Sequence, residues 1–109
     1  TETVSVGFGR RVSPEEARAA IETWPIDPLV ASLPSSPGRP VEIEERPDRP
    51  QPRLDLDRGR GMTVTVGRLR PCPLLDLRFV VLGHNTIRGA AGAAVQNAEL
   101  LVARGALAP

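Results

Sequence analysis

The chain opens on a strict alternation. In "TETVSVGFG", Val4, Val6 and Phe8 fall on one side and Thr3, Ser5 and Gly7 on the other, which is the period of a half-buried strand. The period changes in "VSPEEARAAIETW", where Ala17, Ala20, Ile21 and Trp24 recur at helical spacing. Ser13 precedes them as an N-cap, Pro14 suits the first helical position, and Glu16 is placed to complete a capping box. Pro25 ends this helix. Most of the 12 prolines then lie between residues 25 and 61. Within that stretch "WPIDPLVASLPSSPGRP" predicts a turn-rich connection and "VEIEE" at 41–45 a short strand. "RPDRPQPRLDLDRGRG" at 46–61 predicts a solvated, extended loop; an arm laid across a neighbouring subunit is the alternative, since a loop this long is uncommon in a compact domain unless functional.

Alternation returns in "MTVTVGRLR" at 62–70, with Met62, Val64 and Val66 on one face and Thr63 and Thr65 on the other. Pro71 and Pro73 break that strand. "RFVVLG" at 78–83 is a nearly continuous apolar run, which predicts a strand buried on both faces. From residue 85 the period is helical again: Ile87, Ala91, Ala94, Val95, Ala98, Leu101 and Val102 share one face. Gly105 suits the position after this helix, and Arg104 complements its dipole. The order strand, helix, long connection with a short strand, strand, strand, helix places the chain in the α+β class. No internal repeat is present.

Composition narrows the chemistry. The 109 residues fit one small domain or a piece of a larger one. A net charge of +1 gives no field for nucleic acid, and no apolar run reaches the roughly 20 residues that span a bilayer. All 14 basic residues are Arg and there is no Tyr, so lysine Schiff bases, phosphate-binding P-loop lysines and tyrosine acid–base chemistry are excluded. One cysteine forms no internal disulfide, and a reducing, cytoplasmic setting is expected. A start inside a strand, with no initiator Met and no secretory signal, leads to the expectation of a fragment or a processed chain.

Few residues are candidates for catalysis. Cys72 lies between two prolines, with neither a helix start nor a neighbouring base to activate it, and is expected to be a loop or packing residue. His84 has no metal-site spacing and no nucleophile elbow around it, so it reads as a hydrogen-bonded structural residue; neither a metal site nor a catalytic residue is expected. The helix start says more. Asn85 and Thr86 are both N-cap candidates, while Gly89 and Gly92 each disfavour a helix by roughly 1 kcal/mol relative to Ala. Such glycines imply close approach, either of packed protein or of a ligand. Arg88 in the first turn opposes the dipole unless an anion lies near.

The run "VTVGRLRPCPLLDLRFVVLGHNTIRGAAGAAVQNAELLV" resembles the C-terminal part of aspartate-semialdehyde dehydrogenases. "VSVGFGRRVSPEEARAAI" and "RPDRPQPRLDLDRGRGMTVTVGRLR" resemble their archaeal and fungal-type branch. The resemblance implies part of a mixed β-sheet with covering helices, with residues 1–84 in the catalytic and dimerisation domain. Residues 85–109 would form a terminal helix that packs on a cofactor domain this chain lacks. It also implies a cytoplasmic, NADPH-dependent enzyme that reduces β-aspartyl phosphate to aspartate semialdehyde through a cysteine thioacyl intermediate, with a histidine as acid–base and an arginine on the substrate carboxylate. The Asn-Cys nucleophile motif is absent, Cys72 does not stand at its position, and "GHN" at 83–85 is not the family's histidine motif. No catalytic residue carries over, therefore, and the chain alone is expected to be inactive. Asn85 carries over as an NADP contact, with Thr86 and Gly89 as weaker neighbours. Expected partners are the remaining N-terminal part of the enzyme and further copies, as a homodimer or homotetramer, with no nucleic acid or membrane. A malonyl-CoA reductase of similar architecture and a non-catalytic dimerisation module are the alternatives.

Overall fold

A computed structural model describes residues 1–107. Four strands form one mixed sheet: β1 (Glu2–Val6), β2 (Val41–Glu44), β3 (Val64–Pro71) and β4 (Leu77–Leu82), in the spatial order β1-β4-β3-β2. β4 runs antiparallel to both β1 and β3, and β2 runs parallel to β3. The helices are α1 (Pro14–Thr23), α2 (Pro28–Ala31), α3 (Pro52–Asp55) and α4 (Gly92–Ala103). A 3-10 turn covers Arg58–Gly61, and a π-helical turn, Ile87–Ala91, opens α4.

Side chains alternate across a strand, so the register defines two faces. Val41, Ile43, Val66, Phe79, Val81 and Val4 share the apolar face. α1 lies on that side, with Ile21 and Val41 lining one groove and Arg18 paired to Glu45 at 2.7 Å. The helix starts as predicted: Ser13 Oγ accepts from the Glu16 N–H at 3.1 Å, and Glu16 Oε2 accepts from the Ser13 N–H at 2.9 Å. Its apolar face differs from expectation. Ala17 and Ile21 are half-buried, but Ala20 is exposed and Trp24 is 75% exposed, because the C-terminal end of α1 lies beside an open groove rather than over the sheet.

The other face carries Glu42, Glu44, Thr65, Gly67, Val80, Arg78, Thr3 and Ser5. Residues 46–61 cover part of it, which corrects the expectation of a solvated, extended loop. Here the chain forms α3 and the 3-10 turn. Its Arg49–Pro50 peptide lies so close to β3 that a Cβ on Gly67 would come within 2.7 Å of the Arg49 carbonyl. Asp55 is 1% exposed and accepts both guanidinium edges of Arg49, while Arg58 bridges Asp55 and Glu44. Carboxylates this deep persist only when paired, and here each acid has two arginines, since Arg46 also forks onto Glu44 at 2.7 and 2.9 Å. The Arg49 pairing, followed by the Gln51 N–H, holds the Asp55 carboxyl down to about 2. Arg46 does the same for Glu44 and takes it well below the usual carboxylate range.

β4 is central, with Leu77, Val80 and Leu82 buried and Arg78, Phe79 and Val81 half-buried, so its coverage is less complete than a doubly buried strand. The last helix departs further. Ala91, Ala94, Val95, Ala98, Leu101 and Val102, the face expected to pack, are all exposed. The opposite side meets the domain instead: Gly92 lies against Met62, and Glu99 accepts from the Ser35 N–H and hydroxyl at 3.0 and 2.8 Å. The Cα radius of gyration is 15.7 Å, against about 13 Å for a compact domain of this length.

Candidate functional site

The turn between β4 and α4 gathers the residues singled out from the sequence. β4 ends at Leu82, and Gly83 leads to a half-buried His84. His84 Nδ1 accepts the Ile87 N–H at 3.2 Å and lies 3.3 Å from the Thr86 hydroxyl. The imidazole therefore serves one of the donors that a helix start leaves without an intrahelical partner. This fits the expected hydrogen-bonded structural residue, but the capping role itself had no spacing signal. Neither Asn85 nor Thr86 caps through its side chain: Thr86 occupies the cap position with no such bond.

The backbone here is wound wider than an α-helix. Gly89 N–H reaches the His84 carbonyl at 2.9 Å and Ala91 N–H the Thr86 carbonyl at 3.0 Å, both five residues back. Such π-helical turns occur frequently at functional sites. Asn85 and Thr86 are exposed, and among the described residues the Asn85 amide has no hydrogen-bond partner. The two glycines separate here. A Cβ on Gly92 would meet Met62 Sδ at 2.6 Å and the Ile87 carbonyl at 2.9 Å, so packing alone requires glycine there. A Cβ on Gly89 would meet only ordinary contacts at 3.6 Å. Arg88 stands in the first turn, as the sequence places it, but its guanidinium donates along the helix to Gln96 at 3.1 Å.

Asn85, Thr86 and Gly89 thus share one exposed turn, which presents the Asn85 amide, the Thr86 hydroxyl beside His84 and an open glycine. Cys72 lies elsewhere, beyond the end of β3, half-buried. The N–H groups of Leu74 and Leu75 lower its thiol below the usual value, with the Ser5 hydroxyl and Arg78 adding to them. A loop cysteine flanked by prolines gave no hint of that. Among the described residues no cluster of His, Cys, Asp or Glu is arranged to hold a metal ion, and no helix is long and apolar enough to cross a membrane.

Known proteins share this fold. Residues 1–88 match the family described as semialdehyde dehydrogenase, dimerisation domain. An aspartate-semialdehyde dehydrogenase of Archaeoglobus fulgidus is 55% identical over 102 residues, which is 94% of this chain and 29% of the relative. The Saccharomyces cerevisiae enzyme of the same name is 45% identical, covering 95% of this chain and 29% of its own length. A crystal structure of the Candida albicans enzyme with NADP superposes with a TM-score of 0.82 at 40% identity, over 96% of this chain and 30% of that one. The chain thus spans about 30% of the length of these relatives. On the match over residues 1–88 and these identities, the chain belongs to the semialdehyde dehydrogenase family, within its dimerisation domain.

Proposed function

We propose that the chain is the dimerisation portion of an NADP-dependent aspartate-semialdehyde dehydrogenase. The complete enzyme interconverts β-aspartyl phosphate and aspartate semialdehyde, and this chain supplies its subunit contact and one wall of its cofactor site. The observation that carries the reading is the outward stripe of α4. Val95, Leu101 and Val102 are 52, 45 and 53% exposed, although they form the helix's apolar face. Contiguous exposed apolar surface marks an interaction site, and its occupant in this reading is the cofactor domain, which lies in the remaining part of the enzyme.

The same docking sets the turn at residues 84–89 beside the dinucleotide. Bound NADP supplies the hydride acceptor or donor of the reaction. Asn85 orients the cofactor through its amide, Thr86 contributes a hydroxyl, and Gly89 leaves the backbone open to close approach. His84 holds the turn in shape and moves no proton. The thiol nucleophile, the acid–base histidine and the substrate arginine belong to the remaining part of the enzyme.

The test is the oxidative assay. The complete enzyme should form NADPH from NADP with aspartate semialdehyde and phosphate, whereas the 109-residue chain alone should form none. NADPH formation by the chain alone would overturn its assignment as a non-catalytic portion. A complete enzyme that ignores the semialdehyde and oxidises malonate semialdehyde with coenzyme A would replace the substrate.

A further inference from the structure

Two adjacent residues, Gly61 and Met62, meet the segment 84–92 near its two ends. Gly61 is buried, with φ +80, a left-handed conformation that favours glycine. A Cβ there would come within 2.9 Å of Ile87 Cδ1 and 3.2 Å of His84 Cδ2. The space a side chain would need is therefore filled by the imidazole and by Ile87. Met62 Sδ lies 2.6 Å from where a Cβ on Gly92 would stand. Ile87 opens the π-helical turn and Gly92 follows its end, so the two residues clasp it. Between these contacts lie the exposed Asn85, Thr86 and Gly89.

The clasp is itself held from behind. The Met62 N–H reaches the Gly59 carbonyl at 3.1 Å and the Thr63 N–H the Arg58 carbonyl at 3.2 Å, which closes the backbone of residues 58–63. Arg58 ties this turn to Asp55 at 2.9 Å and to Glu44 at the end of β2. The Thr63 hydroxyl donates to the Arg39 carbonyl at 2.6 Å. A continuous set of packed and bonded groups thus runs from the Asp55 and Glu44 carboxylates to the His84 ring, and orientation is transmitted through such contacts. His84 depends on its seat. Its Nδ1 accepts the Ile87 N–H at 3.2 Å, whereas Cδ2, on the other side of Cγ, faces Gly61. A methyl group at Gly61 would push the ring by that edge and turn Nδ1 away from the N–H it caps.

We propose that Gly61 is a positioning residue for the cofactor turn. Its bare Cα seats the His84 ring and Ile87, and so fixes the direction in which Asn85 and Thr86 are presented. Arg58 acts through it, by holding the turn that carries it. The proposal rests on the reading that residues 84–89 contact NADP.

The complete enzyme tests this, by calorimetric titration with NADP, hydrogen exchange and kinetics. Gly61→Ala should raise Kd for NADP by about tenfold, the scale of one overpacked contact, and speed exchange at the Ile87 and Gly89 amides. KM for NADP should rise with Kd, while kcat at saturating NADP and KM for aspartate semialdehyde stay at their parent values. Adding Ile87→Val removes Cδ1, the atom nearest the new methyl group, and should restore part of the affinity. Arg58→Gln leaves Glu44 with Arg46 and Asp55 with Arg49, and should weaken NADP by about threefold; it alone decides if Gly61→Ala does not fold. Asn85→Ala separates the two claims. If it weakens NADP while the folded Gly61→Ala and Arg58→Gln enzymes bind as the parent does, the turn holds the cofactor without needing this seat, and the proposal alone is overturned. If Asn85→Ala leaves Kd unmoved, the cofactor reading of the turn falls, and the proposal with it.

Discussion

Gly92 and Met62 are in such close contact that a single methyl group on the glycine would reach within 2.6 Å of the methionine sulfur. Met62 is buried, and the Ile87 carbonyl closes the other side at 2.9 Å, so neither neighbour yields cheaply. Gly92→Ala should destabilise the chain by about 1–3 kcal/mol through overpacking, although alanine is the better helix former. Gly89→Ala, at an open position, should instead stabilise it by up to about 1 kcal/mol. Urea unfolding of the two variants checks the opposite signs; a Gly92→Ala protein as stable as its parent refutes the packing assignment.

Asp55 gives the fold an acid limit. Its folded carboxyl is held at about 2 by Arg49 first and the Gln51 N–H next, below its value in the unfolded chain. A depressed folded value contributes stability that is fully present above the unfolded value and lost as pH falls through the folded one. Stability should therefore decline from about pH 4 toward pH 2, with Glu44, lowered by Arg46, extending the loss further down. Asp55→Ala leaves buried arginine charge uncompensated and should cost about 3–5 kcal/mol. Urea midpoints measured against pH should show the acid slope in the parent and a shallower one in the variant.

His84 holds the first turn of the last helix through its Nδ1. His84→Ala should lose about 1 kcal/mol, the usual scale of a cap, and should speed hydrogen exchange at the Ile87 amide. His84→Asn, which keeps an acceptor, should recover part of both. Unchanged exchange at Ile87 in His84→Ala would mean that the imidazole does not cap.

The proposed cofactor role of the turn separates binding from folding. Asn85→Ala should leave the urea midpoint unchanged, because the amide bonds nothing within the described residues. In the complete enzyme it should raise KM for NADP by about five- to tenfold, the worth of one hydrogen bond. Gly89→Ala should likewise weaken NADP binding while stabilising the chain. A KM for NADP that is unmoved in both variants would remove the turn from the cofactor site.

Much of the fold was legible in the sequence because local signals agreed with the tertiary outcome. Ser13, Pro14 and Glu16 mark the start of α1 without reference to anything distant, and the alternations in β1 and β3 place Val4 and Val66 on one shared face, although Thr65 on the opposite face is buried as well. The segment 46–61 was not legible, since proline and charge density looks the same in a solvated loop as in a network whose partners, Glu44 and Arg58, are brought together by the β2–β3 pairing. The α4 stripe shows the converse limit. Periodicity found the apolar face but not its direction, which Gly92 against Met62 and Glu99 against Ser35 decide. At the proposed site, Asn85, Thr86 and Gly89 were singled out as a set by the family resemblance, whereas the cap formed by His84 depends on a ring orientation that no spacing records.

The pairing of Glu2 with Val81 has a consequence for how the chain reaches this structure. β3 and β4 are joined by a short turn and close locally, but β1 waits for a partner that follows more than seventy residues later. Non-local pairing of this kind slows folding, since loop closure precedes the contacts that reward it. Protection from hydrogen exchange during refolding should therefore appear at Val66 and Val80 before Val4, and β1 should be the last strand to take its place at the sheet's edge.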